Sequence, residues 1–315
     1  MNLDKVEFVL VVGAGTMGHA IAQVYAQHGF MVDLVDKNPK TLDRATKLIN
    51  SNLTLLAELE KISSNEISNI LNRIKLTDNL KPCAERADLV VEAVNEVANI
   101  KNELFIELNR YCSEDTILAS NTSGLNIYDI TDMKKPGRLI IHHWFCPAYI
   151  LPLVEIVPGP KTSQETIDFS VELMEKLGKK PLVMKEYVEG FILNRLQRVI
   201  FVQVYEMLQK GWATPEQIDF GVKTILGVRL PVQGVVQSQD FTGLELILDK
   251  QKEFRTNKRY PQVENLVKQG RLGVRSGKGF YDYQGRSEEE ILRKRDMYCL
   301  KVLDLLEKLN TFEPL

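Results

Sequence analysis

"VLVVGAGTMGHAIAQVYAQHGFMVDLVD", residues 9–36, runs from a short apolar, β-branched segment through three spaced glycines into an apolar-periodic stretch, then into a second apolar run that ends on Asp36. The order reads as strand, tight turn, helix, strand. The three glycines serve different ends, since Gly13 permits the turn, Gly15 lets backbone approach a pyrophosphate, and Gly18 lets the helix pack closely on the strand. Phosphates would then lie at the helix N-terminus, against Gly13, Gly15, Thr16, Met17 and Gly18, where unpaired N–H groups and the helix dipole favour negative charge. The carboxylate of Asp36 can accept hydrogen bonds from a ribose 2′-OH and would repel a 2′-phosphate, so NAD is expected rather than NADP.

Working outward, Pro39 to about Lys75 has a helical pattern broken near "ISSNEIS", which predicts a helical hairpin. "ADLVVEAV" reads as a buried strand ending near Asn95 and Glu96, "NIKNELFIELNRYC" as a helix, and "TILASNTS" as a further strand. Such alternation calls for an α/β fold: a Rossmann-like, doubly wound, mainly parallel sheet with a helical hairpin insertion, followed by an all-α C-terminal domain. Ligands bind outside the carboxyl ends of such strands, which brings Glu96, Asn121 and Ser123 to the cofactor's edge.

"RLIIHHWF" also has strand character, and successive strand side chains face opposite ways, so His142 and His143 cannot serve one site together. After "KKPLVMKE", the last expected strand, the pattern turns helical, placing the domain boundary close to Tyr187, with domains at 1–186 and 187–315. "GFILNRLQRVIFVQVYEMLQKG" is apolar on most sides, as expected of a helix buried between neighbours or subunits. Gly211 stops it, and Thr214 to Gln217 supplies a capping box for the next helix.

The bulk composition excludes several classes. Among 315 residues, 44% are apolar and 26% charged, and the formal net charge is −2 with signs interspersed, which argues against nucleic acid as a partner. Cys83, Cys112, Cys146 and Cys299 have no metal-site or disulfide spacing; no metal is expected, and reduced thiols fit a cytoplasmic location. No apolar run is long enough for a membrane span, and the opening residues read as neither signal peptide nor anchor. His19 and His28 read as packing or surface residues, and Cys146, with no neighbour to activate a thiolate, as structural.

Taken together, "ASNTSGL", "HHWFCP", "LPLVEIV", "EGFILNR" and "GKGFYDY", in this order over nearly the whole chain, resemble the L-3-hydroxyacyl-CoA dehydrogenase family. The resemblance implies His143 as catalytic base, Glu155 as its acid partner, Ser123 and Asn194 as further catalytic residues, and Glu96 and Lys101 as cofactor contacts. It also implies a homodimer formed through the helical domain, and a role in fatty acid metabolism. These residue types suit oxidation of a secondary alcohol. An imidazole can take the hydroxyl proton while a carboxylate on its other nitrogen sets the tautomer, and Ser and Asn can bond the hydroxyl or product carbonyl.

Departures from the acyl-CoA pattern concern the substrate. An asparagine of that family's motif is Cys146 here, and "AYILPLVEIVPGP" is closer to the related L-gulonate 3-dehydrogenase branch, whereas "RLGVRSGKGFYDY" looks like the acyl-CoA branch. The hairpin centre holds Glu58, Glu60 and Glu66 against Lys61, a poor cradle for CoA phosphates. The expected small-molecule substrate is therefore an L-3-hydroxyacyl-CoA, with a free 3-hydroxy acid, gulonate- or carnitine-like, as the rival. For the free acid, Arg229 in "GVRLP" is the candidate cation, ahead of Arg195 and Arg198. A non-catalytic NAD-binding sensor or structural protein is the rival of another class, and the set His143, Glu155, Ser123 and Asn194 counts against it.

Overall fold

In the computed structural model, which describes residues 3–253 and 260–313, β1 (Phe8–Val12) sends Val9 and Val11 into one buried core and Leu10 and Val12 into another. Strand alternation thus covers both sheet faces. The chain continues through α1 (Gly18–Gln27), β2 (Met31–Val35), α2 (Pro39–Glu58), α3 (Glu66–Asn72), β3 (Ile74–Thr77), α4 (Leu80–Arg86), β4 (Leu89–Glu92), α5 (Ala98–Tyr111), β5 (Ile117–Ser120) and α6 (Ile127–Ile130). It then forms β6 (Leu139–Trp144), β7 (Leu153–Pro158), α7 (Gln164–Lys176), β8 (Lys180–Val183) and α8 (Leu193–Gln209). Among the described residues the sheet has eight strands in the order β3-β2-β1-β4-β5-β6-β7-β8. Every pairing is parallel except β6 with β7. The expected α/β architecture is present.

The expected helical hairpin appears as α2 and α3, with Asn38 accepting from Lys40 N and Pro39 in the first turn of α2. Such a cap contributes about 1 kcal/mol. The helical reading ran too far, however: Ile74–Thr77 is β3, at the sheet edge beside β2. Only Ile74 of its four residues is buried, so no alternation marks it as a strand.

The chain divides into two compact units, Met1–Val199 and Ile200–Leu315, so the segment just after Tyr187 groups with the first. The physical reason is Phe191. It is fully buried in the core of the first unit, and the N–H groups of Ile192 and Leu193 both donate to Glu155. Helix α8 starts immediately after this anchor. None of its residues is buried, and Val199, Phe201, Val202 and Tyr205 lie exposed, so the apolar surface expected to be buried is uncovered in the single chain.

The second unit continues through α9 (Pro215–Gly221), α10 (Gly227–Gln233), α11 (Gln237–Thr242), α12 (Leu244–Glu253), α13 (Pro261–Lys268) and α14 (Glu288–Lys308). The Thr214–Gln217 capping box forms as expected. "RSGKGFYDY" wraps the buried Asp240, whose carboxylate accepts from Phe280 N at 2.8 Å, Tyr281 N at 3.0 Å and Tyr283 OH at 3.1 Å. A Cβ on Gly279 would collide with that carboxylate, which explains the glycine. This motif is a local scaffold.

Candidate active site

The glycine turn after β1 has the geometry its spacing predicts. Gly13 adopts φ +99°, and a Cβ there would overlap the Ala93 carbonyl; a Cβ on Gly18 would overlap the Gly13 carbonyl. Around Gly15, by contrast, the position of a Cβ is open space, and no side chain caps the first turn of α1. That combination fits a pyrophosphate. Beside it lies a cavity of about 560 Å³ lined by Gly13, Gly15, Thr16 and Asp36. Asp36 accepts from Ala14 N and Asn38 N, both at 2.9 Å, so its carboxylate is fixed at the rim. Asp78, Glu103 and Glu107 join it in the lining against Lys37 and Arg44, an acidic balance that suits a 2′-hydroxyl better than a 2′-phosphate.

The two histidines have opposite fates. Ile140 and Trp144, on the His142 side of β6, belong to one core, while Leu139 and Ile141, on the His143 side, belong to the other. His142 is fully buried with neither ring nitrogen bonded, and burial pushes its pKa down to about 3. His143 is directly opposite Glu155 in the antiparallel β6–β7 ladder, and its Nδ1 lies 2.8 Å from Glu155 Oε2. A carboxylate only accepts, so Nδ1 carries the proton and Nε2 keeps its lone pair. Nε2 makes no hydrogen bond among the described residues.

"EGFILNR" assembles the remainder. Gly190 and Phe191 take positive φ values of 73° and 50°, turning the chain so that Phe191 packs with its ring centroid 5.2 Å from that of His143. The same turn aims the N–H groups of Ile192 and Leu193 at Glu155 Oε1, each at 3.0 Å. Asn194 Nδ2 then donates to the Ser123 carbonyl at 2.8 Å, and Ser123 Oγ lies 3.3 Å from Glu96 Oε1. His143, Glu155, Asn194, Ser123 and Glu96 therefore form one connected constellation. Lys101 joins it through an ion pair with Glu96 at 3.1 Å.

Other expected residues lie differently. Asn121 Oδ1 accepts from Trp144 N at 2.9 Å, so that oxygen braces β5 against β6. Cys146 is exposed and therefore not a core residue. Arg229 belongs to the second unit, exposed on α10 and not in a glycine turn, because Gly227 takes ordinary helical angles. His19 and His28 are bonded through Nδ1 to the carbonyls of Gly15 and Val24, as packing residues would be. Sequence reasoning missed Phe191, Thr122 and Glu92; only the Gly-Phe pair before Asn194 hinted at a special turn.

Comparison with known proteins bears on this arrangement. A family model described as 3-hydroxyacyl-CoA dehydrogenase, NAD binding domain, matches residues 8–187, and its C-terminal domain counterpart matches residues 190–283. A Bacillus subtilis protein named a probable 3-hydroxybutyryl-CoA dehydrogenase is 36% identical over 290 residues, covering 90% of this chain and 99% of its own. The structure of a 3-hydroxyacyl-CoA dehydrogenase from Archaeoglobus fulgidus superposes with a TM-score of 0.76 at 28% identity, over 96% of this chain and 99% of that one. A 5-formyl-3-hydroxy-2-methylpyridine 4-carboxylic acid 5-dehydrogenase, described as an NAD+-dependent dismutase, gives 0.72 at 26% identity, over 96% and 99%.

Proposed function

The chain belongs to the 3-hydroxyacyl-CoA dehydrogenase family, and from that premise we propose that it oxidises the 3-hydroxyl of an L-3-hydroxyacyl-CoA to the 3-oxo product. It is an NAD-dependent oxidoreductase. The observation that carries the reading is the buried pair of His143 and Glu155 at 2.8 Å, with the second carboxylate oxygen held by two backbone N–H groups. His143 Nε2 takes the hydroxyl proton, and Glu155 stabilises the imidazolium that results. Ser123 and Asn194 orient the hydroxyl and the forming carbonyl. The glycine turn, Asp36, Glu96 and Lys101 would hold NAD, which would supply the hydride acceptor.

A second reading, a free 3-hydroxy acid, is favoured by the acidic hairpin and by the pyridine-carboxylic-acid dehydrogenase among the similar structures. Glu58, Glu60, Lys61 and Glu66 are all exposed, so the hairpin presents its carboxylates to solvent. Arg229, the cation candidate for this reading, is exposed on α10. Steady-state kinetics with L-3-hydroxybutyryl-CoA and with free L-3-hydroxybutyrate decide between them. The acyl-CoA reading expects kcat/KM on the thioester to exceed that on the free acid by roughly 100-fold or more, as expected when remote binding energy is used in the transition state. Equal values, or a preference for the acid, would reject it.

The exposed apolar residues of α8 also support pairing of two copies through this helix. Sedimentation equilibrium at micromolar concentration should return twice the chain mass of 35.9 kDa, and Phe201→Asp together with Tyr205→Asp should return the single mass. A wild-type chain that sediments as a monomer would contradict the pairing.

A further inference from the structure

Glu92 closes β4 with no exposed surface, yet it is a carboxylate. It accepts from Val94 N at 2.9 Å, Lys101 Nζ at 2.6 Å and Ser120 Oγ at 2.5 Å. Lys101, itself 1% exposed, also pairs with Glu96 at 3.1 Å. Glu96 Oε1 in turn accepts from Thr122 Oγ at 2.5 Å, Ser123 N at 2.8 Å and Gly124 N at 3.2 Å. Burial would raise the Glu96 carboxyl, but the Thr122 hydroxyl, the Lys101 ammonium and the Ser123 N–H together hold it below the ordinary carboxylate range.

Two carboxylates thus share one ammonium, leaving a formal charge of −1 in a mostly buried cluster. Stability does not call for this excess, because a glutamine at 92 could still accept from Lys101 without bringing a second negative charge into the interior. The sheet order locates the charge: β2 and Asp36 lie on one side of β1, and β4 with Glu92 and β5 with Ser120 on the other. A dinucleotide that straddles this switch point with its adenosine half at Asp36 has its nicotinamide half over the ends of β4 and β5. The oxidised nicotinamide ring is a cation and the reduced ring is neutral.

We propose that the cluster of Glu92, Lys101 and Glu96 is an electrostatic device that binds oxidised NAD in preference to NADH and so sets the redox poise of the bound cofactor. The inference rests on the placement of NAD in this crevice. Dissociation constants of NAD+ and NADH, measured by calorimetry on the full chain, test it. In Glu92→Gln, the ratio Kd(NAD+)/Kd(NADH) is expected to rise about tenfold, the effect of one unit charge several ångströms away at a partly buried site. An unchanged ratio, with both constants weakened alike, overturns the proposal.

Asp36→Asn is the control, since the adenosine half is the same in both cofactor forms; it should weaken both equally. A ratio shift there matching that of Glu92→Gln would also overturn the proposal. Should Glu92→Gln fail to fold, Glu96→Gln, at a partly exposed side chain, removes the same charge, and its ratio must move the same way. A wild-type chain that binds neither form would instead reject the NAD placement, a result distinct from intact binding with an unmoved ratio.

Discussion

His143→Gln lowers kcat/KM by about 10²- to 10⁴-fold, the usual contribution of a positioned general base, while leaving NAD affinity unchanged. The amide fits the space of the imidazole and can donate to Glu155 Oε2, so the contacts from Ile192 N and Leu193 N to the other carboxylate oxygen persist. What disappears is the lone pair of Nε2. Steady-state kinetics and a calorimetric NAD titration on the same preparation check both halves of the expectation; a variant retaining more than a tenth of the turnover would remove His143 from the role of base. Glu155→Gln should cost a comparable factor for a different reason. Its amide would donate to Nδ1, so the neutral ring would carry its proton on Nε2, the nitrogen that must accept.

His142→Leu has its largest effect on stability, and only in acid. With both ring nitrogens unbonded and the pKa pushed down to about 3, the folded chain refuses a proton that the unfolded chain accepts below the ordinary histidine value of 6.5. The unfolded state therefore binds more protons between these values, and stability falls as pH drops through the window, by roughly 1.4 kcal/mol per pH unit. At pH 4.5 this amounts to roughly 3 kcal/mol relative to neutrality. Leucine has no such proton to gain, and at neutral pH it replaces two unbonded polar atoms with apolar ones, a change expected to be neutral or stabilising. Urea unfolding followed by Trp144 emission in a Trp212→Phe background, at pH 7 and pH 4.5, measures the difference. If wild type and variant lose the same stability between the two pH values, His142 does not titrate as described.

The glycine turn and the fate of the two histidines were legible because they depend on local rules. Gly13, Gly15 and Gly18 follow from turn geometry and close approach, and the separation of His142 from His143 follows from the strand repeat. Glu92 was not legible: nothing in "ADLVVEAV" marks its carboxylate, and only Lys101 from α5 and Ser120 from β5 show what that buried side chain bonds. The anchoring of Phe191 was not legible either, since in sequence it looks like part of the apolar helix that follows. Its burial in the first unit is a tertiary fact. Strand β3 escaped because four edge residues with one buried side chain carry too little pattern.

The antiparallel pairing of β6 with β7 bears on how such an enzyme can change. His143 and Glu155 are cross-strand neighbours, so their separation is set by the ladder and not by the connection from Phe145 to Pro152. Within that connection Phe145 packs on His143 and the carbonyls of Ala148 and Leu151 accept from Lys179, whereas Cys146 is exposed, so a change at Cys146 leaves the pairing of His143 with Glu155 in place. Substitution can therefore accumulate at that exposed position while the ladder keeps the histidine and the carboxylate face to face.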